Sequence, residues 1–210
     1  KLRRRHARYL ANLVRHRPYI MTRPADLLHQ AIDHFQGGRP EQAEPLFRQI
    51  IDLEPGNAEA HHLLGVIACQ RGDFAEGVRL IGKAIEHAPA VAFFHNNLGN
   101  ALMELGRHDD AFASYMAALA IDANFAEAHN NLSNTLKDTG RLAEARASLQ
   151  QAIALNPDLA EAHSNLGRTL QQIGLLDDAL NSCRRAIALN ANVPEAHYNL
   201  GNVQFSVGRI

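Results

Sequence analysis

The stretch AEAHNNLSNTLKDTGRLAEA, residues 126–145, returns at residues 160–179 as AEAHSNLGRTLQQIGLLDDA. Weaker versions begin at residue 58 (AEAHHLLGVIACQRGDFAEG), residue 92 (AFFHNNLGNALMELGRHDDA) and residue 194 (PEAHYNLGNVQFSVGRI). The interval never changes. Gly38, Gly72, Gly106, Gly140, Gly174 and Gly208 are each 34 residues apart, and so are Leu64, Leu98, Leu132, Leu166 and Leu200. The small residues Gly65, Gly99, Ser133, Gly167 and Gly201 keep that interval, as do Ala43, Gly77, Ala111, Ala145 and Ala179. A fixed period of this length is the mark of a stacked-repeat architecture.

Within one copy the apolar period is helical. Ala128, Leu132 and Leu136 follow at intervals of four, and Leu142, Ala145, Leu149, Ala152 and Ile153 form a second stripe. Gly140 between them is placed to end the first helix in the left-handed conformation. Pro157 cannot continue the second helix, and Pro55 and Pro89 act alike, while Ala123 and Ala191 stand in their place in two copies. Each unit therefore reads as helix, tight turn, helix, short turn. Small residues on one stripe let two backbones approach, and Phe47, Ile81, Tyr115, Leu149 and Cys183 recur at the same interval as the larger partners. One such pair cannot bury its apolar stripe alone, whereas stacked pairs share a continuous core.

The 34-residue interval and the small–large pattern of Leu132, Ser133, Leu136, Gly140, Ala145, Leu149, Ala152 and Pro157 resemble the tetratricopeptide repeat. The resemblance covers residues 24–210 and implies an all-α, right-handed α-solenoid of stacked antiparallel helix pairs. Its units would be 24–57, 58–91, 92–125, 126–159, 160–193 and a half repeat at 194–210. Two departures stand out. Histidine (His61, His95, His129, His163, His197) occupies the position where the family often has Trp, and the first copy is degenerate, with Gln30 in the Leu series and Pro45 expected to bend its second helix.

The resemblance also implies that the first helices line a concave groove. By register, its residues include Phe93, Asn96, Asn97, Asn100, Met103 and Glu104. Asn130, Asn131, Asn134 and Lys137 follow in the next copy, then Asn165 and Arg168, then Asn199 and Asn202. Two rows emerge, Asn97–Asn131–Asn165–Asn199 and Asn100–Asn134–Arg168–Asn202. A side-chain amide offers two donors and an acceptor, so a line of them suits the backbone of an extended peptide. The competing reading is that these amides are solvated or bond their own repeat neighbours. The row resembles the asparagine ladder in the repeat arm of O-GlcNAc transferases and bacterial SPINDLY-like proteins.

Other classes of function find less support. No Gly-rich phosphate loop, GxSxG or Cys–His–Asn pattern is present, so no enzyme activity, cofactor or small-molecule substrate is expected. One His per repeat gives no convergent metal cluster, since zinc ligands lie ~2.0–2.1 Å from the ion and packed helix axes ~8–10 Å apart. The His row is expected to pack between repeats and to loosen the stack when protonated near pH 6. Cys69 and Cys183 fall in different copies without CxxC spacing, which points to a reducing compartment, read as the cytoplasm. No apolar run reaches the ~20 residues of a membrane span.

Charge is asymmetric. Eight of the 21 Lys and Arg lie in residues 1–23, which hold no acid, so 13 bases face 22 acids in the remainder. Three readings of that basic segment compete: a helix capping the first repeat, an arm for nucleic acid or an anionic surface, or foreign sequence ahead of a natural start at Met21. The acidic body argues against a larger nucleic-acid surface. Self-association is expected through this segment or through the open end of the half repeat, where Leu200, Val203, Phe205 and Val207 would lack a following partner. The function expected is a non-catalytic protein–protein interaction scaffold binding an extended peptide or partner helix. The alternative is the substrate-recruiting arm of a larger enzyme such as a bacterial O-linked glycosyltransferase.

Overall fold

The computed structural model describes residues 23–208, so the basic segment's three readings fall outside the described residues. Eleven helices and no strands occupy the described residues. They group into two compact units, divided after Pro55.

The first unit holds α1 (Pro24–Gln36) and α2 (Pro40–Leu53), which pack on each other. Proline at the start of each suits a position whose N–H has no intrahelical partner. Helix α2 runs on through Pro45, with Ala43, Phe47 and Ile50 buried.

The second unit holds α3 (Ala58–Gln70), α4 (Phe74–His87), α5 (Ala92–Glu104), α6 (His108–Ile121), α7 (Ala126–Asp138), α8 (Leu142–Leu155), α9 (Ala160–Ile173), α10 (Leu176–Leu189) and α11 (Pro194–Ser206). Helices pair as α3–α4, α5–α6, α7–α8 and α9–α10. Each second helix also packs on the next first helix, and successive first helices (α3, α5, α7, α9, α11) touch one another. That contact pattern is an α-solenoid: every pair meets only its neighbours.

The turns are built as their glycines imply. Gly38, Gly72, Gly106, Gly140, Gly174 and Gly208 are the positive-φ residues among the described ones, at φ between 65° and 89°. After Gly72, Gly106, Gly140 and Gly174 the next residue returns its N–H to the last turn of the first helix: Asp73 to Ala68, Arg107 to Leu102, Arg141 to Leu136 and Leu175 to Leu170, at 2.8–3.0 Å. These are the six-to-one bonds of a Schellman cap, which only a left-handed residue permits at low cost.

The small–large pairing is equally literal. A Cβ on Gly99 would lie 2.5 Å from the Tyr115 ring, and one on Gly65 would lie 2.7 Å from Ile81. One on Gly167 would collide with the Cys183 sulfur. Phe47, Ile81, Tyr115, Leu149 and Cys183 are all buried. The core runs across repeats, as in the cluster of Leu102, Ala111, Tyr115, Leu132, Leu136 and Ala145.

Two glycines therefore respond oppositely to alanine. Gly99→Ala forces the buried Tyr115 aside, an overpacking cost of roughly 1–3 kcal/mol that outweighs the ~1 kcal/mol gained in helix propensity. Gly82, inside α4, has nothing within 4 Å of its would-be Cβ, so Gly82→Ala should stabilise by roughly 0.5–1 kcal/mol. Urea midpoints moving in opposite directions for the two variants would bear this out; equal shifts would contradict it.

The last helix departs from expectation. Val203 is buried against Leu170, Leu180 and Cys183, with Leu200 and Val207 packed on the same cluster. These three face back onto the preceding pair because their register positions sit on its side of α11. The residues left exposed there are Tyr198 and Phe205, at 70% and 77%.

Candidate functional site

The first helices α5, α7, α9 and α11 carry the amide rows, and the structure shows what each amide touches. Asn165 Nδ2 donates to Asn130 Oδ1 at 3.0 Å. Asn130 Nδ2 faces Asn131 Oδ1 at 3.4 Å. Asn131 Nδ2 donates to Asn96 Oδ1 at 3.0 Å. Asn96 Nδ2 faces Asn97 Oδ1 at 3.4 Å. Asn97 Nδ2 ends the chain on His62 Nε2 at 2.9 Å. At the other end, Arg168 Nη2 lies 3.4 Å from Asn165 Oδ1. The result is one polarised relay, from a guanidinium on α9 through five amides to an imidazole on α3. Every donor along it points in the same sense, so the amide orientations fix one another.

The candidates fall into two groups. Asn96, Asn130 and Asn199 are buried, at 6%, 3% and 4% exposure. They brace helix against helix rather than facing solvent, and Asn199 Nδ2 closes the same bond to Ser164 Oγ at 3.0 Å. Asn97, Asn131, Asn134, Asn165, Arg168, Lys137 and Asn202 are half-buried, and Asn100 is exposed. Each relay bond uses one donor or one lone pair, so Asn97, Asn131 and Asn165 each keep a second N–H and a second lone pair. Asn100 Oδ1 accepts from the Tyr115 hydroxyl at 2.8 Å. Asn134 Oδ1 takes two cations, Lys137 at 3.1 Å and Arg168 at 3.3 Å. Asn202 lends its backbone carbonyl to Ser206 Oγ.

His62 was not among the sequence candidates, and Ser164 was placed in the groove by register but not in the amide rows, although both share the register position of Asn96 and Asn130. His62 is buried between the Phe93 ring (5.1 Å, edge-on) and the Phe94 ring (4.5 Å, stacked). Burial lowers its pKa to about 4. Because Nε2 accepts from Asn97, the ring proton sits on Nδ1, which has no hydrogen-bond partner. Burial, with the Glu104 charge beside it, pushes the Tyr115 hydroxyl above its ordinary range. Burial also draws Arg168 below its ordinary value.

The histidine row divides: His61 is buried and stacked on the His87 ring at 5.8 Å, while the other four do something else. His95, His129, His163 and His197 place Nε2 2.8–3.1 Å from the carbonyls of Pro89, Ala123, Pro157 and Ala191, six residues earlier. A carbonyl only accepts, so each ring donates, and it can do so neutral or charged. These four histidines clamp the turn entering their own helix.

A polar cavity of about 430 Å³ opens on this face, lined by Asn130, Asn131, Asn134, Ser164, Asn165 and Glu161 together with the turn from Asn190 to Glu195. Five second-helix carboxylates are paired with nearby bases, as Glu44–Arg48, Glu76–Arg79, Glu86–Lys83, Asp110–Arg107 and Glu144–Arg141, while Glu41, Asp52, Asp109 and Asp178 are in none of these pairs. The first-helix carboxylates Glu104, Glu127, Glu161 and Glu195 appear in none of the ion pairs among the described residues. No helix among the described residues is long and apolar enough to cross a membrane.

Stacked helix pairs, left-handed turn glycines and a 34-residue register define a helical-repeat solenoid. Residues 99–140, 134–174 and 172–208 match the family model described as TPR repeat, and residues 34–98 match one described as tetratricopeptide repeat. The chain belongs to the tetratricopeptide repeat family. A search of curated protein sequences finds no match. Among solved structures, the chain is similar to PilW, described as a widely conserved type IV pilus biogenesis factor, with a TM-score of 0.80 and 20% identity over 89% of this chain and 86% of that one. It is similar to YrrB, described as a TPR protein with an unusual peptide-binding site, with a TM-score of 0.68 and 20% identity over 85% and 92%. TTC0263, a thermophilic TPR protein of Thermus thermophilus, gives a TM-score of 0.70 and 20% identity over 87% of this chain and all of that one. At these identities the likeness is one of fold.

Proposed function

We propose that the protein is a non-catalytic scaffold whose first-helix face binds an extended polypeptide, with Asn97, Asn131, Asn134 and Asn165 as the principal backbone contacts. The observation that carries this reading is the amide-lined cavity of about 430 Å³. An extended segment brings one donor and one acceptor per residue, and both need partners once covered. The half-buried amides have that capacity left over after the relay is satisfied. The relay adds preorganisation: amides already held by neighbouring repeats lose little rotamer freedom when a ligand arrives. Glycosyl-transfer recruitment is a narrower version of this role. The two free cysteines fit a reducing cytoplasm.

The test is to pan a phage-displayed library of random 12-residue peptides on the full chain and on Asn134→Arg. That variant copies Arg168, which the chain itself uses at the equivalent position one repeat later, and it leaves the buried amides alone. Linear peptides should be enriched on the native chain and bind the variant at least tenfold more weakly by fluorescence anisotropy. No enrichment, or affinities unchanged by Asn134→Arg, would remove the groove from consideration.

A further inference from the structure

The same groove position recurs every 34 residues with different chemistry, and two of its occurrences are open. The first is a cavity of about 320 Å³ between α3, α4 and α5, walled by Val66, Cys69, Phe74, Ile81 and Ala101. The second, of about 390 Å³, lies one repeat along. There the residues equivalent to Val66, Cys69 and Ile81 are Asn100, Met103 and Tyr115, so the wall has turned polar. In the third occurrence the equivalent positions hold Asn134, Lys137 and Leu149, and Lys137 is tied to Asn134. Asn100 and Glu104 lie on the rim of both open cavities.

We propose that this pair of cavities reads two neighbouring side chains of the bound polypeptide: a large aliphatic or aromatic residue in the Val66–Ile81 cavity and a Lys or Arg beside it at Glu104. This rests on the groove reading above and names what the groove selects. The first cavity, at about 320 Å³, has ample room for a Leu-to-Phe side chain, with little polar wall to satisfy, and an apolar anchor gains most by leaving water there. Glu104 makes no ion pair with any described residue, and Glu127, Glu161 and Glu195 on the same face are equally without one. Unpaired carboxylates occur on the second helices too, at Asp109 and Asp178, but those on the first helices line the groove itself. An acidic rim beside the cavity is complementary to a basic segment. An acidic peptide would meet these carboxylates with nothing to offset them at this end of the groove.

The repeat supplies its own conservative variants. Val66→Asn installs the residue the chain uses at position 100, and Glu104→Gln installs the one it uses at position 70. Peptides selected from the 12-residue library should carry Leu, Ile, Met or Phe adjacent to Lys or Arg. A selected peptide, synthesised with fluorescein, should bind Val66→Asn about tenfold more weakly than the native chain. Replacing its apolar anchor by Ala should weaken binding to the native chain by a similar factor yet scarcely change binding to Val66→Asn. On Glu104→Gln, the peptide's preference for Lys over Gln should vanish and its salt dependence should flatten. Circular dichroism melts establish that both variants fold, and the anchor truncation on the native chain stands without them. Selected peptides that lack the apolar–basic pair, or an anchor truncation that costs nothing, would overturn the assignment. Binding blocked by Asn134→Arg but indifferent to Val66→Asn would overturn this pocket while leaving the groove reading intact.

Discussion

Lowering the pH from 6.5 to 4 should cost the native chain about 3 kcal/mol more stability than it costs the His62→Asn variant. His62 is buried, and its Nε2 already accepts a hydrogen bond from Asn97. Protonating that nitrogen sets donor against donor and places a charge among the Phe93 and Phe94 rings. Burial accordingly lowers the pKa from 6.5 to about 4. The sign follows from which state takes the proton first. The unfolded chain binds it near pH 6.5 and the folded chain only near 4, so the contribution is present in full above 6.5 and is lost as pH falls toward 4.

Asparagine is the informative replacement. It stands at the equivalent position in the next two repeats, as Asn96 and Asn130, and its Oδ1 can accept from Asn97 as Asn131 and Asn165 are accepted there. The variant gives up ring volume, with a cost of roughly 1–2 kcal/mol at pH 7. It should nonetheless show the shallower acid slope. Carboxylate protonation and the turn-clamping histidines are common to both chains and cancel in the comparison. Urea midpoints at pH 7.5, 5.5 and 4.5 measure this, and parallel slopes would show that His62 carries no special acid sensitivity.

How the fold could be read from sequence is clear in particular residues. Gly140 and its five equivalents dictate the turns because glycine takes their positive φ without the Cβ clash that penalises other residues, and the same interval fixes the small–large partners Gly99 and Tyr115. Those are local or strictly periodic constraints, and periodic sequence transmits them directly. The amide relay was only half legible. Register shows that Asn97, Asn131, Asn165 and Asn199 are equivalent, but equivalence is not contact. The bonds run between residues 35 apart, as in Asn131 to Asn96, because the faces that neighbouring first helices turn to one another carry adjacent register positions. Which faces meet is a tertiary quantity, and without it His62 looks unrelated to the row it completes. The direction in which Val203 faces on α11 was hidden for the same reason.

Asn130→Ala should be the most damaging single change in the relay, at roughly 2–4 kcal/mol. Asn130 is its buried central node, accepting from Asn165 and donating toward Asn131. Alanine keeps the helix and removes both functions. It strands one N–H on Asn165 and one carbonyl on Asn131, each a desolvated group costing ~1–3 kcal/mol when left unmade. Serine supplies the control. At Ser164, which shares this register position, the hydroxyl and backbone carbonyl together receive the Asn199 amide, so Asn130→Ser should cost less than half as much as Asn130→Ala. The network also predicts non-additivity. Once Asn130 is gone, Asn165→Ala removes a donor that no longer has a partner, so the double variant should be more stable than the sum of the singles implies by about 1 kcal/mol. Additive losses in a urea-denaturation cycle at pH 7.5 would mean that the amides act as separate contacts and that the relay's common polarity has no energetic content.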